Sequence, residues 1–157
     1  TFICSGNICR SPIAEQMFAH QRGPRGLADV VRVTSAGTGG WHEGEPADRR
    51  AGLVLRAHGY PSAHRATQMH DDHLSADLVV ALGRNHLRML QHEGVPAERL
   101  RMLRSFDPKS GAHALDVEDP YYGTQDDFED VLSVIDAALP GLHGWVDEQL
   151  NQRTRAS

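Results

Sequence analysis

A chain of 157 residues has room for one domain with a sizeable hydrophobic core. Its net charge of −5 argues against a nucleic-acid surface, and its apolar and charged fractions, 39% and 24%, are those of a soluble protein. No apolar run approaches the roughly 18 residues of a membrane span, so no membrane partner is expected. Two cysteines, Cys4 and Cys9, do not make a disulfide framework, and a reducing compartment follows by default. No signal peptide is visible. The chain opens without Met and has only a stub of strand before Cys4, so a few further residues are expected upstream.

Thr1-Phe2-Ile3 is a short β-like run. A helix is predicted over 12–22, with Ile13, Ala14, Met17 and Phe18 apolar, and Gly23, Pro24 and Gly26 ending it. The β-branched run Val30 to Ala36 reads as a second strand. Gly37, Gly39 and Gly40 open a loop that carries Trp41 and His42. A second helix is expected over 47–58, with Gly59 just past its end. The stretch from Arg65 to Asp72 is polar. Ala76 to Leu82 is nearly all apolar, which suits a strand buried on both faces of a parallel sheet. A helix over 84–92 is stopped by Gly94, and Leu100 to Leu103 is a shorter fourth strand. Residues 105–124, rich in Asp, Pro and Gly, read as loop. From Gln125 a helix runs to about Leu139, Pro140 is expected to break it, and a last helix follows over 141–151. Residues 151–157 read as a frayed tail.

Strand and helix alternate throughout, which argues an α/β domain with a parallel sheet over residues 1–150. Such sheets bind ligands at the carboxyl ends of their strands. The stretch at the end of the first strand is Cys4-Ser5-Gly6-Asn7-Ile8-Cys9-Arg10-Ser11-Pro12. Seven residues from Cys4 to Arg10 can curl into a cup lined by backbone N–H groups. Gly6 relieves the curl, and Asn7 is the non-Gly type most tolerant of left-handed geometry. Ser11 can cap the following helix, with Pro12 in its first position. Inward N–H groups at a positive helix end make an anion site, and the Arg10 fork matches two phosphate oxygens. Ser5, Gly6, Asn7, Ile8, Cys9, Arg10 and Ser11 are thus the expected phosphate-binding set. Cys4 lies on the floor of the cup, where a helix N-terminus and a nearby cation favour a thiolate in line to attack phosphorus. A lone Cys at a strand end is more often a small core residue. It is the joint spacing of cysteine, glycine, arginine and helix start that points to chemistry.

This Cys-x5-Arg-Ser loop at the chain's start resembles the phosphate-binding loop of low-molecular-weight protein tyrosine phosphatases, most of all the mycobacterial members. The likeness covers most of residues 1–150, including Arg104-Ser105-Phe106-Asp107-Pro108. It implies a flavodoxin-like domain in which a four-stranded parallel sheet is flanked by helices on both faces. It also implies hydrolysis of phosphotyrosine and aryl phosphates through a cysteinyl-phosphate. Phosphotyrosine proteins would be the substrates and inorganic phosphate the product. No cofactor is implied, since Arg10 and the N–H cup supply the positive field. The protein is expected to act as a monomer in the cytoplasm, with export without a signal peptide also open.

Further roles follow from the resemblance. Val117-Glu118-Asp119-Pro120-Tyr121-Tyr122-Gly123 matches the family's Asp-Pro loop, which makes Asp119 the general acid and then the general base, ahead of Glu118 and Asp116. Without the match, the segment reads as a solvated turn. Tyr121 and Tyr122 should form one wall of the substrate pocket and Trp41 the other, with His42 at the rim. Such walls stack an aryl ring and make the pocket deep enough to favour phosphotyrosine. For Trp41 the alternative is a surface residue lying on its own loop. The Tyr pair also resembles family sites that are themselves phosphorylated. Asn7, Ser11 and His64 are the family's loop-supporting network, with an exposed loop histidine as the alternative for His64. Cys9 is either packing or a redox partner that shields Cys4 as a reversible disulfide. The runs Gly44-x-Pro46-x-Asp48-x-Arg50-Ala51 and His64-Arg65-Ala66 read as scaffold. One departure stands out. The family carries an Asp after the third strand, in support of the phosphate loop, where this chain has Gly83.

Other readings are weaker. Among ten histidines the densest group, His70-Asp71-Asp72-His73, lacks the spacing and ligand count of a zinc site, so no metal is expected. Arsenate reduction on the same scaffold calls for further resolving cysteines, and none follows Cys9. A phosphotyrosine-binding module without turnover is favoured by Gly83 alone and opposed by the intact set Cys4, Arg10, Ser11 and Asp119.

Overall fold

The computed structural model describes residues 1–112 and 115–156. Residues 113 and 114 of the loop expected over 105–124, and Ser157 of the tail, lie outside the described residues. Four short strands, β1 (Phe2–Cys4), β2 (Ser35–Gly37), β3 (Val79–Ala81) and β4 (Leu100–Met102), form one parallel sheet in the order β2-β1-β3-β4. The helices between and after them are α1 (Arg10–Arg22), α2 (Arg49–Ala57), α3 (Asp71–Leu74), α4 (Arg84–His92) and α5 (Gln125–Ala156). This is the α/β class with a parallel sheet that the alternation predicts, and the four-stranded sheet that the resemblance implies.

Successive strand residues face opposite sides, and they divide the core in two. Phe2, Cys4 and Val80 point into a large core with Ile13 and Met17 of α1, Val54 and Leu55 of α2, and Phe128, Ile135 and Leu139 of α5. Ile3, Ala36, Val79 and Ala81 point into a smaller one completed by Leu90 of α4, Val95 and Met102. From β1 the order runs one way to β2 and the other way to β3. The crevice of such a sheet opens at that reversal, beside the carboxyl ends of β1 and β3. Cys4 ends β1 and Gly83 follows β3, so both sit there.

Five details differ from the sequence-based expectation. The second strand is Ser35–Gly37, not Val30 to Ala36. β1 pairs Phe2 with Ser35, so residues 30–33 have no neighbouring strand, and Val30 and Val31 instead donate to the Leu27 carbonyl in a turn. The polar stretch before β3 contains the short helix α3, in which His70 and His73 cap one another's backbone. Helix α1 begins at Arg10, with Cys9 in the cap position, so Ser11 is no cap and Pro12 is the third helical residue. The absent N–H of a proline costs little in a first turn. Pro140 does not break the last helix, which is continuous from Gln125 to Ala156. Pro140 and Asp136 are exposed, so the missing helical bond falls on the solvent side of the helix. Leu139, Leu142 and Val146 anchor the helix on either side. It continues through residues 151–156, where the sequence suggests fraying, and Arg153 there pairs with Asp77 at 2.9 Å. No helix among the described residues is long and apolar enough to cross a membrane.

Candidate active site

The loop after β1 is held open from outside. Thr38 N donates to Cys4 O (2.8 Å), Gly39 N to Ser5 O (3.1 Å), Asp48 N to Ile8 O (2.8 Å) and Ile13 N to Cys9 O (3.3 Å). His64 Nε2 donates to Asn7 O at 2.7 Å. In a planar trans peptide the next residue's N–H points opposite to the carbonyl. With these five carbonyls turned outward, the N–H groups of Ser5, Gly6, Ile8, Cys9 and Arg10 turn into the cup. The arrangement is a preorganised anion receptor at the N-terminus of α1. Gly37 is required beneath it, since a Cβ there would sit 2.6 Å from Ser5 O.

Asn7 is the keystone. Among the described residues it is the one non-glycine with positive φ, 58°. Its Oδ1 accepts from Thr67 N (3.0 Å), which fixes the amide's orientation. Its Nδ2 then donates to both Ser11 Oγ (2.8 Å) and Ser35 Oγ (2.9 Å). Ser35 Oγ in turn donates to the Glu15 carboxylate. Ser11 Oγ, which accepts from Asn7, lies 2.9 Å from Cys4 Sγ and can give its hydrogen to that sulfur. Cys9 is also buried and free, but burial, followed by the charges of Asp48, Cys4 and Asp119, pushes its thiol well up. Burial thus favours the neutral thiol at Cys9, whereas Cys4 has the Ser11 hydroxyl beside its sulfur.

Arg10 crosses the site. It is buried, and its Nη1 donates to Val117 O at 3.0 Å while its Nη2 stands 3.7 Å from Asp119 Oδ2. The Asp119 side chain is half exposed and folds back to accept from Tyr121 N at 3.1 Å. Glu118 is exposed, and Asp116 turns to the N-terminus of α4, where its Oδ1 accepts from Arg84 N at 2.6 Å. Of the three acids, Asp119 is the one paired with Arg10.

The aromatic walls are unequal. Tyr121 and Tyr122 meet edge to face at 5.0 Å, and Tyr122 is 95% exposed. On the other side His42, not Trp41, reaches inward. Its ring would lie 2.9 Å from a Cβ on Gly6 and is 6.3 Å from the Tyr121 ring, and its Nδ1 pairs with Glu45 at 2.7 Å. Trp41 lies over the backbone of Gly39 on its own loop and is 72% exposed.

Several participants have no obvious mark in the sequence. Ser35, Thr67 and Glu15 support Asn7; Ser35 is hinted at only by its polarity next to a β-branched run, and Thr67 lies unmarked in a polar stretch. His86 is fully buried, and its Nε2 meets Ser5 Oγ at 2.9 Å. Burial, reinforced by the Arg10 charge, lowers its pKa to about 4. Its Nδ1 is buried without a partner, facing the place where a Cβ on Gly83 would be, 3.3 Å away. Gly83 itself is in extended backbone (φ −156°) and provides no cap for α4; the Asp116 carboxylate, reaching in from the neighbouring loop, does so instead. Among the described residues no group of three or more His, Cys, Asp or Glu side chains is placed to hold a metal ion.

The model of the family described as low molecular weight phosphotyrosine protein phosphatase matches residues 1–155. Low molecular weight protein-tyrosine phosphatase A of Mycobacterium tuberculosis is 69% identical over 150 residues, which are 96% of this chain and 92% of the relative. The human low molecular weight phosphotyrosine protein phosphatase is 36% identical over 135 residues, 83% of this chain and 84% of its own. A solved protein tyrosine phosphatase from Entamoeba histolytica, with Hepes in its active site, superposes with a TM-score of 0.86 at 27% identity, covering 94% of this chain and 96% of the other. The chain belongs to the low molecular weight protein-tyrosine phosphatase family.

Proposed function

We propose that this protein hydrolyses phosphotyrosine in proteins, and aryl phosphates generally, in two displacements at phosphorus. The observation that carries the reading is Cys4 Sγ held 2.9 Å from the Ser11 hydroxyl at the floor of a cup of N–H groups. Arg10 and Asp119 stand at the mouth.

In the first displacement the Cys4 sulfur attacks phosphorus and an S–P bond forms as the aryl O–P bond breaks. The cup and the Arg10 fork take the charge on the equatorial oxygens. Asp119 gives its proton to the departing phenolate oxygen, a step of the kind worth about 10²–10⁴ in rate. In the second, water attacks the cysteinyl-phosphate and loses a proton to the Asp119 carboxylate. The S–P bond breaks, and Ser11 donates to the departing thiolate. Inorganic phosphate leaves, and the enzyme is restored with Asp119 protonated. Tyr121, Tyr122 and the His42 ring flank the aryl group, with Trp41 at the rim. The two unpaired thiols fit a reducing, cytoplasmic setting.

The test is phosphate release from a phosphotyrosine peptide and from an aryl phosphate. Cys4→Ser is expected to abolish turnover, and Asp119→Ala to slow it by about two to three orders of magnitude. Undiminished activity in the Cys4 variant would overturn the mechanism. A wild type that binds the peptide stoichiometrically without releasing phosphate would make the protein a binding module.

A further inference from the structure

Asp48 and Arg50, which read as scaffold in the sequence, join the two halves of the site. Asp48 N donates to Ile8 O of the cup at 2.8 Å. The Asp48 carboxylate caps α2, with Oδ1 accepting from Arg50 N at 2.9 Å. It also grips the Arg50 guanidinium at both ends, through Nε (3.0 Å) and Nη2 (2.9 Å). The guanidinium then reaches across to the Asp119 loop. Nη1 donates to Gly123 O and Nη2 to Tyr121 O, each at 2.8 Å. Its carbon lies 4.5 Å above the centroid of the Phe128 ring, at the start of α5. Gln125, also in α5, donates back to Arg50 O at 2.9 Å.

Five donors in one fixed plane suit this task, because Arg50 answers a carboxylate and two carbonyls at once. The pair is ionised: the Arg50 hydrogen bonds hold the Asp48 carboxyl below its usual range. Asp119 itself is half exposed, and its contact with Arg10 is a loose 3.7 Å. Arg10 will be engaged by the substrate's phosphoryl oxygens during reaction, so it cannot be what keeps Asp119 in place. The carbonyls two and four residues beyond Asp119 are held by Arg50.

We propose that Asp48 and Arg50 are positioning residues that hold Asp119 at a fixed height over the phosphate cup, so that its proton reaches the leaving oxygen. The proposal rests on the assignment of Asp119 as general acid. A displacement of about 1 Å in such a group is enough to cost about a hundredfold in rate. The demand on proton transfer is greatest for a poor leaving group. Loss of Arg50 should therefore be felt by phosphotyrosine and phenyl phosphate and hardly by an ester of an acidic phenol.

The test compares kcat/KM, which reports the first displacement alone, for phenyl phosphate and for a dinitrophenyl phosphate in wild type, Arg50→Gln, Asp119→Ala and the double variant. Arg50→Gln is expected to lower kcat/KM for phenyl phosphate by about 10- to 100-fold, with less than a threefold loss on the dinitrophenyl ester. In the Asp119→Ala background it is expected to add no further loss. Arg50→Lys, which keeps the charge opposite Asp48 but not the fork, should fall between, and it replaces Arg50→Gln if that variant does not fold. Equal losses on both esters, or losses that add to those of Asp119→Ala, overturn the positioning role. If Asp119→Ala itself leaves the leaving-group dependence unchanged, the acid assignment fails and this inference falls with it. Failure of this inference alone shows instead as a normal Asp119 effect with an additive Arg50 effect.

Discussion

Arg10 Nη2 and Asp119 Oδ2 stand 3.7 Å apart, the guanidinium buried and the carboxylate half open to water. The proposed acid thus rests against the group that must receive the phosphate. An ionised Asp119 competes for Arg10 and repels an incoming dianion, whereas a protonated one does neither. Asp119→Asn should therefore bind inorganic phosphate several-fold more tightly than wild type while turning over about two to three orders more slowly. Competitive inhibition constants for phosphate measured beside kcat check both halves. Weaker phosphate binding in the variant would contradict the ion pair's role.

Ser11 and Cys4 give a second prediction. The Ser11 hydroxyl accepts from Asn7 and is thereby oriented to donate to Cys4. A hydrogen bond to a charged group is worth about 1.5–3 kcal/mol, so Ser11→Ala should slow the step that expels or forms the thiolate by roughly 10- to 150-fold. Because that step is common to every substrate, the loss should not depend on the leaving group. Rapid-mixing kinetics with a chromogenic aryl phosphate should show a burst of phenol that outruns phosphate release. A loss that grows with phenol pKa would assign Ser11 to a different step.

For Asn7, backbone strain and hydrogen bonding can be separated. A left-handed conformation costs an ordinary residue about 1–2 kcal/mol, and a glycine almost nothing. Asn7→Ala should destabilise the fold by about 3 kcal/mol, through strain together with orphaned partners at Ser11, Ser35 and Thr67. Asn7→Gly loses the same bonds without the strain, and it should be more stable than the alanine variant by about 1 kcal/mol. Urea unfolding of the three proteins settles the order. Equal stabilities of the Gly and Ala variants would remove strain from the account.

His86 makes stability depend on pH with a definite sign. Its folded pKa is lowered to about 4 from an unfolded value of 6.5. Between those values the unfolded chain binds a proton that the folded one refuses, so stability rises with pH. It is complete above 6.5 and lost progressively as pH falls toward 4, by at most about 3 kcal/mol for this group. His73 and His143, both also lowered by burial, act in the same sense. His86→Asn should flatten the stability profile across that window. Gly83→Asp, which puts a carboxylate near His86 Nδ1, should raise the His86 pKa in an NMR titration. An unchanged titration would show that the new side chain turns elsewhere, away from the Asp116 carboxylate.

Much of this was legible in the sequence, and what was not has physical causes. The reactive loop is local: Cys4, Asn7, Arg10 and Ser11 lie within one short segment whose spacing encodes a strand end, a curl and a helix start. The parallel sheet could be read because Val79, Val80 and Ala81 sit in an unbroken apolar run. Contacts between distant segments could not be read. The tie from Arg50 to Gly123 spans 73 residues, and that from Ser5 to His86 spans 81. Neither residue's type or neighbours announce such a partner. Val30 to Val33 has strand composition but no strand to pair with. Pro140 carries a break signal that solvent on one side and packing on the other absorb. Trp41 has the composition of a pocket wall, yet the structure sets His42 closer to the cup.

The cup's supports come from along most of the chain: Asn7 is bonded by Thr67 at a separation of 60 residues, and Arg10 by Val117 at 107. A nascent chain that ends at residue 100 therefore possesses the Cys4 sequence but neither the Val117 carbonyl that holds Arg10 nor Asp119. Contacts of such long range are also slow to assemble, because loop closure must be paid before they form. The nucleophile is synthesised well before Val117 and armed only once that segment docks. Activity should thus appear during refolding as a late, single event that coincides with docking of the segment around Val117, with no earlier phase of partial catalysis.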